Sequence, residues 1–242
     1  MTSHPTAPHD VHAWRDDLAL VQRLLPFTRR VVHAGDAIYE GGESFGPLHL
    51  INSGQFKTVN STADGRGQVV GLHLRGDWLG FDGIANGRYG CDAIALDTGE
   101  VWSVRYADLL AASATAPELM RLLHAAMSRQ IGRGCDCLLA LGTLPADARV
   151  ADFIKGWATS LALRGLRTDQ ITLHMTRAEI GNYLGMTLET VSRALRRLAQ
   201  CGVIRFDEKG RRDLTIPSLD ALDGFIRSTV EQGGGARVPV AA

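Results

Sequence analysis

The chain has 242 residues, enough for one or two domains, and its 26 Lys and Arg residues balance its 26 Asp and Glu residues. This balance excludes a histone-like polycation and an acidic disordered protein, while a hydrophobic fraction of 45% is ordinary for a globular chain with a buried core. The sequence has no apolar run near the roughly 20 residues that cross a bilayer, no secretory signal and only scattered cysteines, so it predicts a cytoplasmic protein without a membrane partner.

The N-terminal half of the sequence has the pattern of a small β-domain. A short helix is predicted over residues 11–25, inside an N-terminal segment 1–27. Apolar stretches separated by Gly- and Asp-containing turns then recur about every ten residues, which favours a β-barrel or sandwich over residues 28–116. The strands are predicted at residues 30–33, 48–51, 56–59, 68–74, 93–96 and 101–104.

A long helix is predicted over residues 117–142, where Pro117 suits a first helical turn. Along it, mostly apolar residues recur in alternating steps of four and three, a 3.5-residue repeat that keeps one seam facing a partner helix. The seam consists of Met120, His124, Met127, Ile131, Gly134, Leu138 and Leu141. Packing on the chain's own β-domain is the alternative, but a length of roughly three heptads favours a homodimer. Residues 142–145 break the helix and are predicted to be a hinge.

Residues 146–228 are predicted to be mainly helical, with a tail at 229–242 that is disordered. The predicted elements are helices at 147–163, 176–183 and 187–200, a strand at 172–175, and a hairpin of strands 203–206 and 213–216. Thr176 with Glu179 forms a capping box, and Gly185 supplies a tight turn between the two helices that follow. The apolar residues expected to lock these two helices together are Ala178, Ile180, Leu184, Val191 and Leu195. This pattern is typical of a winged helix-turn-helix.

The second helix of this motif carries candidate base-reading residues for double-stranded DNA. Glu189, Ser192 and Arg193 share one face at spacings of three and four. Arg193 can donate two hydrogen bonds to guanine, and Glu189 can accept from cytosine N4 or adenine N6; the alternative is that Glu189 only supports the helix by pairing with Arg193. The residues expected to contact DNA phosphates are Thr176, Arg177, Thr187, Thr190, Arg196, Arg197, Lys209 and Arg211. Between residues 193 and 212, seven basic residues stand against two acidic ones.

A cupin-like barrel enzyme, or a small-molecule-binding protein that does not read DNA, is the alternative class. Cupin metal sites need clustered histidines and a carboxylate, whereas His49 and His73 are isolated in the sequence. No nucleophile elbow accompanies the Ser and His residues. The sequence therefore predicts no catalytic residues, no metal site and a protein that is not an enzyme.

The sequence resembles the CRP/FNR superfamily of bacterial transcription regulators over nearly its whole length. The resemblance rests on Ala34-Gly35-Asp36, Ser53-Gly54, Gly76-Asp77-Trp78-Leu79-Gly80-Phe81-Asp82, residues 173–184 and Glu189-Thr190-Val191-Ser192-Arg193. It implies an α+β fold: an N-terminal double-stranded β-helix like the β-roll of cyclic-nucleotide-binding domains, a long dimerisation helix and a C-terminal winged helix-turn-helix. Glu-x-x-Ser-Arg is similar to the FNR branch, which implies a homodimer that binds an inverted repeat of TTGAT half-sites and contacts RNA polymerase. The branch also implies an activator, able to repress as well, in anaerobic or nitrogen-oxide-linked metabolism.

The sequence departs from this family where the signal is sensed. Oxygen-sensing members hold a [4Fe-4S] cluster with mostly N-terminal cysteines, but residues 1–90 contain none, and Trp102 stands where the barrel cysteine is placed. We therefore expect no cluster of that kind. Cyclic-nucleotide binders use an Arg-Ser pair where this chain has Arg88-Tyr89. Haem remains an alternative cofactor, with His33, His49 and His73 as the candidate ligands.

Overall fold

A computed structural model describes residues 11–62, 64–207 and 210–233. It begins with helix α1, Val11–Leu24, which ends one residue before the predicted end. The strands that follow are β1 Thr28–Val32, β2 Ala37–Tyr39, β3 Pro47–Ser53, β4 Phe56–Ser61, β5 Gly67–His73, β6 Trp78–Leu79, β7 Asp92–Ala95 and β8 Gly99–Arg105. Six of them overlap predicted strands, whereas β2 and β6 are too short to produce a detectable alternation.

These strands form two antiparallel sheets of four strands, in the orders β1-β8-β3-β6 and β2-β7-β4-β5. A first core of inward-facing side chains belongs to both sheets: Val32, Ile51, Phe56, Leu79, Ala93 and Val101. Along β8, Val101 belongs to this core while Trp102 and Val104 belong to a second one, as the two-residue period of a strand requires. The predicted β-roll is therefore confirmed.

The second core joins one face of the roll to helices. Helix α1 contributes Leu18 and Val21, helix α2 (Tyr106–Thr115) contributes Leu109, and helix α3 (Pro117–Thr143) contributes Leu119 and Leu123. No separate helix was expected over α2, because ten residues are too few for a clear helical period. The buried side of α3 ends with Ala126, and large apolar side chains become exposed further along the helix.

The C-terminal elements are α4 Ala146–Ala162, β9 Gln170–Thr172, α5 Arg177–Tyr183, α6 Leu188–Gln200, β10 Arg205–Asp207, β11 Gly210–Thr215 and α7 Leu219–Gly233. The three strands form an antiparallel sheet in the order β10-β11-β9. Helices α6 and α7 both pack against α4. The hairpin β10–β11 is the predicted wing.

Two predictions for these elements are wrong. The strand expected at 172–175 lies instead at Gln170–Thr172. Leu173 and Met175 are buried in the core but follow the strand, so their apolar character did not mark its position. The tail expected from residue 229 is helical as far as Gly233, because α7 buries Leu222 completely and packs against α4. Residues 234–242 lie outside the described part of the chain.

The chain divides into two compact units, Met1–Gly134 with Leu163–Gly165 and Cys135–Ala162 with Leu166–Ala242. The division falls within α3 and not at the predicted hinge 142–145. Its physical reason is that the end of α3 packs within the second unit, where a methyl group added at Gly185 would lie 3.3 Å from Leu141 Cδ2. Among the described residues, no helix combines the length and apolar character needed to span a membrane.

Candidate nucleic-acid interface

Both helices of the helix-turn-helix are capped by the threonine at which the sequence predicts the helix to start, Thr176 for α5 and Thr187 for α6. The Thr176 hydroxyl accepts a hydrogen bond from the Glu179 backbone N–H at 3.2 Å, and Glu179 Oε2 accepts from the Thr176 backbone N–H at 2.7 Å. This reciprocal pair is the capping box that the sequence predicts. At the start of α6, the Thr187 hydroxyl accepts from the Thr190 backbone N–H at 3.3 Å. The caps fix where each helix starts and so fix which residues face outward.

The turn between the helices depends on two glycines. Gly185 has a φ of +61°, in the left-handed region that other residues adopt only with strain. Gly181 lies inside α5, and a Cβ built there would meet the Met186 carbonyl oxygen at 2.6 Å, so the chain can fold back this closely only past a glycine. The sequence analysis identified Gly185 and missed Gly181, although a glycine inside a helical pattern is itself a signal of close approach.

The inner face of the motif is apolar and buried. Ile180 of α5 and Leu184, the residue that follows α5, meet a stripe on α6 in which each side chain is at most 2% exposed: Val191, Ala194, Leu195 and Leu198. The prediction that Ala178 belongs to this contact is wrong, because Ala178 is exposed. At 100° per residue, position 178 is separated around the helix axis by about 160° from position 180 and by about 120° from position 184.

The predicted base-reading side chains lie on the outer side of α6. Glu189 and Arg193 are exposed and Ser192 is partly buried. The pKa of the Glu189 carboxyl is held below its usual range, first by a backbone N–H at the helix start, then by the Thr187 hydroxyl and the charge of Arg193. Arg193 Nη2 donates to Thr190 Oγ1 at 3.3 Å. Glu189 is therefore a charged acceptor and Arg193 a charged donor on one accessible surface.

Leu188 is a further surface residue that the sequence analysis missed. It occupies the first turn of α6 with 46% of its surface exposed. It precedes Ser192 by four residues and therefore shares its side of the helix. An exposed leucine at this position suits the methyl group of thymine.

The predicted phosphate-contacting residues have different surroundings. Thr176, Thr187 and Arg196 are exposed, whereas Thr190 and Arg177 are partly buried. Arg197 is exposed but already pairs with Asp147 of α4, with a 2.7 Å distance from Nη1 to Oδ2. Lys209 and the side chain of Arg211 lie outside the described residues.

The predicted seam of α3 is largely exposed in the single chain. His124, Ile131, Gly134 and Leu138 are exposed, and Met120, Met127 and Leu141 are partly buried. Ile131 and Leu138, two turns apart, are 66% and 70% exposed. The buried residues of α3, such as Leu119 and Leu123, lie between seam residues only in the first part of the helix. The later part of the helix therefore presents apolar side chains to solvent.

The three candidate haem ligands have different surroundings. His33 is exposed, whereas burial lowers the pKa values of His49 and His73 to about 4. His49 Nδ1 lies 2.8 Å from Ser103 Oγ, and His73 Nε2 lies 3.2 Å from Thr58 Oγ1. Each of these two histidines is therefore buried in the first unit, with one ring nitrogen in contact with a hydroxyl group. No group of three or more His, Cys, Asp or Glu side chains in the described residues is placed to hold a metal ion.

The side chains at the other two sensor positions are also engaged within the first unit. Trp102 Nε1 donates to Glu100 Oε1 at 2.6 Å, and Arg29 Cζ lies 5.0 Å from the tryptophan ring centroid. Arg88 Nη1 donates to the Gly42 carbonyl at 2.6 Å, and Tyr89 donates its hydroxyl hydrogen to the Pro47 carbonyl at 2.7 Å. Both of these side-chain hydrogen bonds go to backbone carbonyls.

Known domain families match both halves of the chain. The family described as "Cyclic nucleotide-binding domain" matches residues 29–115, and that described as "Crp-like helix-turn-helix domain" matches residues 148–225. The transcriptional regulatory protein btr of Bordetella pertussis is 33% identical over 193 residues, which are 80% of each chain. The fumarate and nitrate reduction regulatory protein of Escherichia coli K12 is 33% identical over 221 residues, covering 85% of this chain and 87% of that protein.

A solved structure agrees with these relatives. FixK2 from Bradyrhizobium japonicum has 29% identity and a TM-score of 0.71, and the match covers 83% of this chain and 97% of FixK2. A β-roll, a long helix and a winged helix-turn-helix with an exposed, charged second helix define a DNA-binding transcription regulator. The chain belongs to the CRP/FNR family.

Proposed function

We propose that the chain is a homodimeric regulator that binds an inverted repeat of TTGAT half-sites through α6, the recognition helix. The observation that carries this proposal is the division of α6 into two faces. Val191, Leu195 and the rest of one stripe are buried, while Glu189 and Arg193 are exposed on the other side. A helix held rigidly by one face, with an acceptor and a donor on the other, is suited to the major groove.

Each base-reading residue has a defined chemical role in this proposal. Arg193 donates to guanine O6 and N7, and Glu189 accepts from the amino group of cytosine or adenine. Ser192 contacts a neighbouring base edge. Leu188 adds an apolar contact to a thymine methyl, which fits a half-site rich in thymine. A carboxylate that faced only phosphates would be repelled, so the ionised Glu189 favours base contact.

Phosphate contacts fix the position of the recognition helix without reading sequence. Thr176, Thr187, Thr190 and Arg196 surround the outer face of α6 and supply hydroxyl and guanidinium donors. Arg197 joins them only by exchanging its partner Asp147 for a phosphate. Lys209 and Arg211 are proposed to add charge from the wing.

The exposed apolar seam of α3 supports a homodimer. Ile131 and Leu138 expose about two thirds of their surface, which is unfavourable for a monomer and suits a second copy of the same helix. Ile131→Glu with Leu138→Glu should convert a dimer into a monomer, as measured by light scattering after size-exclusion chromatography. Leu110→Glu, at a 43% exposed leucine of α2, is the control and should leave the dimer intact. A wild-type monomer at micromolar concentration would contradict the proposal.

The regulatory context follows from the relatives. One relative is named a fumarate and nitrate reduction regulatory protein, which supports control of anaerobic or nitrogen-oxide-linked metabolism, as an activator that can also repress. We propose contact with RNA polymerase and action in the cytoplasm, where the chromosome lies. The relatives are regulators, and we propose that this chain is likewise not an enzyme and works without a [4Fe-4S] cluster of the FNR kind.

The direct test of the function is equilibrium binding of the purified chain to labelled duplexes. One duplex carries the TTGAT inverted repeat, a second carries one half-site and a third has a scrambled sequence. We expect the repeat to bind at least about a thousandfold more tightly than scrambled DNA at physiological salt. Equal affinity for the repeat and the scrambled duplex would contradict the proposed function.

A further inference from the structure

Arg177 joins the recognition helix to the wing. It is the first residue of α5, and its Nη1 donates to Ser192 Oγ on α6 at 3.2 Å. Its Cζ also lies 6.0 Å from the ring centroid of Phe206 on β10, a distance at which a cation is attracted to an aromatic face. Both Arg177 and Phe206 are partly buried. The side chain that the sequence assigns to a phosphate thus lies between two elements of its own domain.

The contact with Arg177 changes what Ser192 can do. A serine hydroxyl has one hydrogen to donate and two lone pairs to accept with. When a guanidinium donates to the oxygen, one lone pair is occupied and the hydroxyl hydrogen must point elsewhere. The positive charge also strengthens the hydroxyl as a donor and opposes the approach of a second N–H. Ser192 is thereby biased toward donating outward from α6.

We propose that Arg177 is a positioning residue for sequence reading, which orients Ser192 so that it recognises a hydrogen-bond acceptor on a base edge. The acceptors available in the major groove are purine N7, guanine O6 and thymine O4, while the amino groups of cytosine and adenine are disfavoured. Phe206 keeps Arg177 against Ser192 by holding the guanidinium from the side of the wing. This inference rests on the proposed function, because it requires α6 to lie in the major groove.

A positioning role and a phosphate contact predict different salt dependences. Removal of a phosphate contact weakens binding to all sequences and lowers the slope of log affinity against log salt by about 0.9 per subunit. Removal of a positioning residue leaves that slope unchanged and reduces discrimination only at the base pair that Ser192 reads. The expected loss of discrimination is about two- to twelvefold, which corresponds to the roughly 0.5–1.5 kcal/mol of a neutral hydrogen bond.

The experiment is a set of equilibrium titrations of full-length variants against the inverted repeat and against duplexes with each half-site base pair exchanged in turn. Ser192→Ala identifies the base pair that Ser192 reads. Arg177→Met, which removes the donor and the charge, should lose discrimination at that pair alone, with an unchanged salt slope and no additional loss in the Ser192→Ala background. Arg177→Gln, which keeps an N–H donor, should recover part of the discrimination that Arg177→Met loses. Arg196→Ala is the comparison for a phosphate contact and should lower the slope.

Phe206→Leu is the control for a folding defect in Arg177→Met. It removes the aromatic ring and leaves both partners of the Arg177–Ser192 hydrogen bond in place. It should reduce discrimination at the same base pair by a smaller factor, at an unchanged melting temperature. Uniform weakening by Arg177→Met with a lower salt slope, or unchanged discrimination, would overturn the inference. If the wild-type chain fails to distinguish the repeat from scrambled DNA, the proposed function fails instead.

Discussion

The recognition helix and the β-roll use charged side chains in opposite ways. On α6, Glu189 and Arg193 are exposed, and their described hydrogen bonds go to neighbouring hydroxyl or backbone groups. In the first unit, Asp77 and Arg164 are buried and each is engaged by several partners. The comparison shows that charge serves recognition where it stays in solvent, and serves architecture where it is buried and paired.

Asp77 is the centre of the buried charges. It accepts hydrogen bonds from the Leu74 backbone N–H at 2.9 Å and from Arg133 Nη1 at 3.0 Å, and Arg164 Nη2 lies 3.0 Å from Oδ1. Burial acts to raise the pKa of Asp77, but Arg164 and Arg133 outweigh it and hold the pKa below its usual range. Arg164 Nε also donates to the Arg75 carbonyl at 2.6 Å. Within the first unit, this network ties Arg133 of α3 and the 163–165 segment to Asp77.

The largest expected effect comes from breaking this network. Asp77→Ala leaves Arg164 buried without its carboxylate, which should cost about 3–5 kcal/mol of unfolding free energy. Urea denaturation followed by circular dichroism measures the loss. The matched control is Asp64→Ala, which removes the exposed carboxylate paired with Arg66 and should leave stability unchanged. Equal losses of unfolding free energy for the two substitutions would contradict the view that the buried charge pair contributes more to stability than the exposed one.

A smaller effect is expected from pH. Burial lowers the pKa of His73 to about 4, from about 6.5 in an unfolded chain. The unfolded state then binds a proton that the folded state excludes, so stability is complete above pH 6.5 and falls as the pH drops toward 4. His73 alone should lower the free energy of unfolding by about 2 kcal/mol when the pH drops from 7.5 to 5.

His73→Gln tests this assignment, because glutamine retains hydrogen-bonding groups without titrating in this range. Unfolding free energies of the wild type and the variant are compared at pH 7.5 and pH 5. His49 remains in both proteins and, with its pKa lowered by burial to about 4, gives each the same residual pH dependence. An identical loss in the two proteins would show that His73 is not responsible.

The smallest effect concerns the ion pair between α4 and α6. The side chains of Arg197 and Asp147 are 53% and 21% exposed, so their pairing should contribute less than about 1 kcal/mol to stability. Asp147→Asn should instead strengthen binding to every duplex by a few fold, because it releases Arg197 for phosphate and removes a negative charge. Anisotropy titrations on repeat and scrambled DNA measure this change. Weaker binding by the variant would mean that Asp147 is needed to hold Arg197 in place.

Local features of the interface could be predicted from the sequence. The capping box at Thr176, the turn at Gly185 and the outward face of Glu189 and Arg193 depend on residues at most a few positions apart, so spacing alone defines them. Most strands of the β-domain could be predicted in the same way, since they alternate with turns, whereas the β-roll topology was implied by the family resemblance. The exposed position of Ala178 is also set by helical spacing, and the prediction was wrong because it grouped an apolar residue with the buried face without regard to that spacing.

Contacts between residues that are far apart in the chain could not be predicted from the sequence. The partners of Asp77 come from α3 and from residues beyond α4, and nothing in the local pattern pairs them. The engagement of Arg177 with Ser192 and Phe206 was missed because an arginine near a recognition helix suggests a phosphate contact by default. The end of α7 was missed because its stability comes from packing on α4.

The central claim is that sequence is read by the exposed face of α6, and two arginines of that helix test it most directly. Affinities of Arg193→Ala and Arg196→Ala are measured on the TTGAT repeat and on scrambled DNA at several salt concentrations. Arg193→Ala should lose about 1–3 kcal/mol on the repeat and almost nothing on scrambled DNA, whereas Arg196→Ala should weaken both alike. An equal loss on the two duplexes for Arg193→Ala would contradict the account.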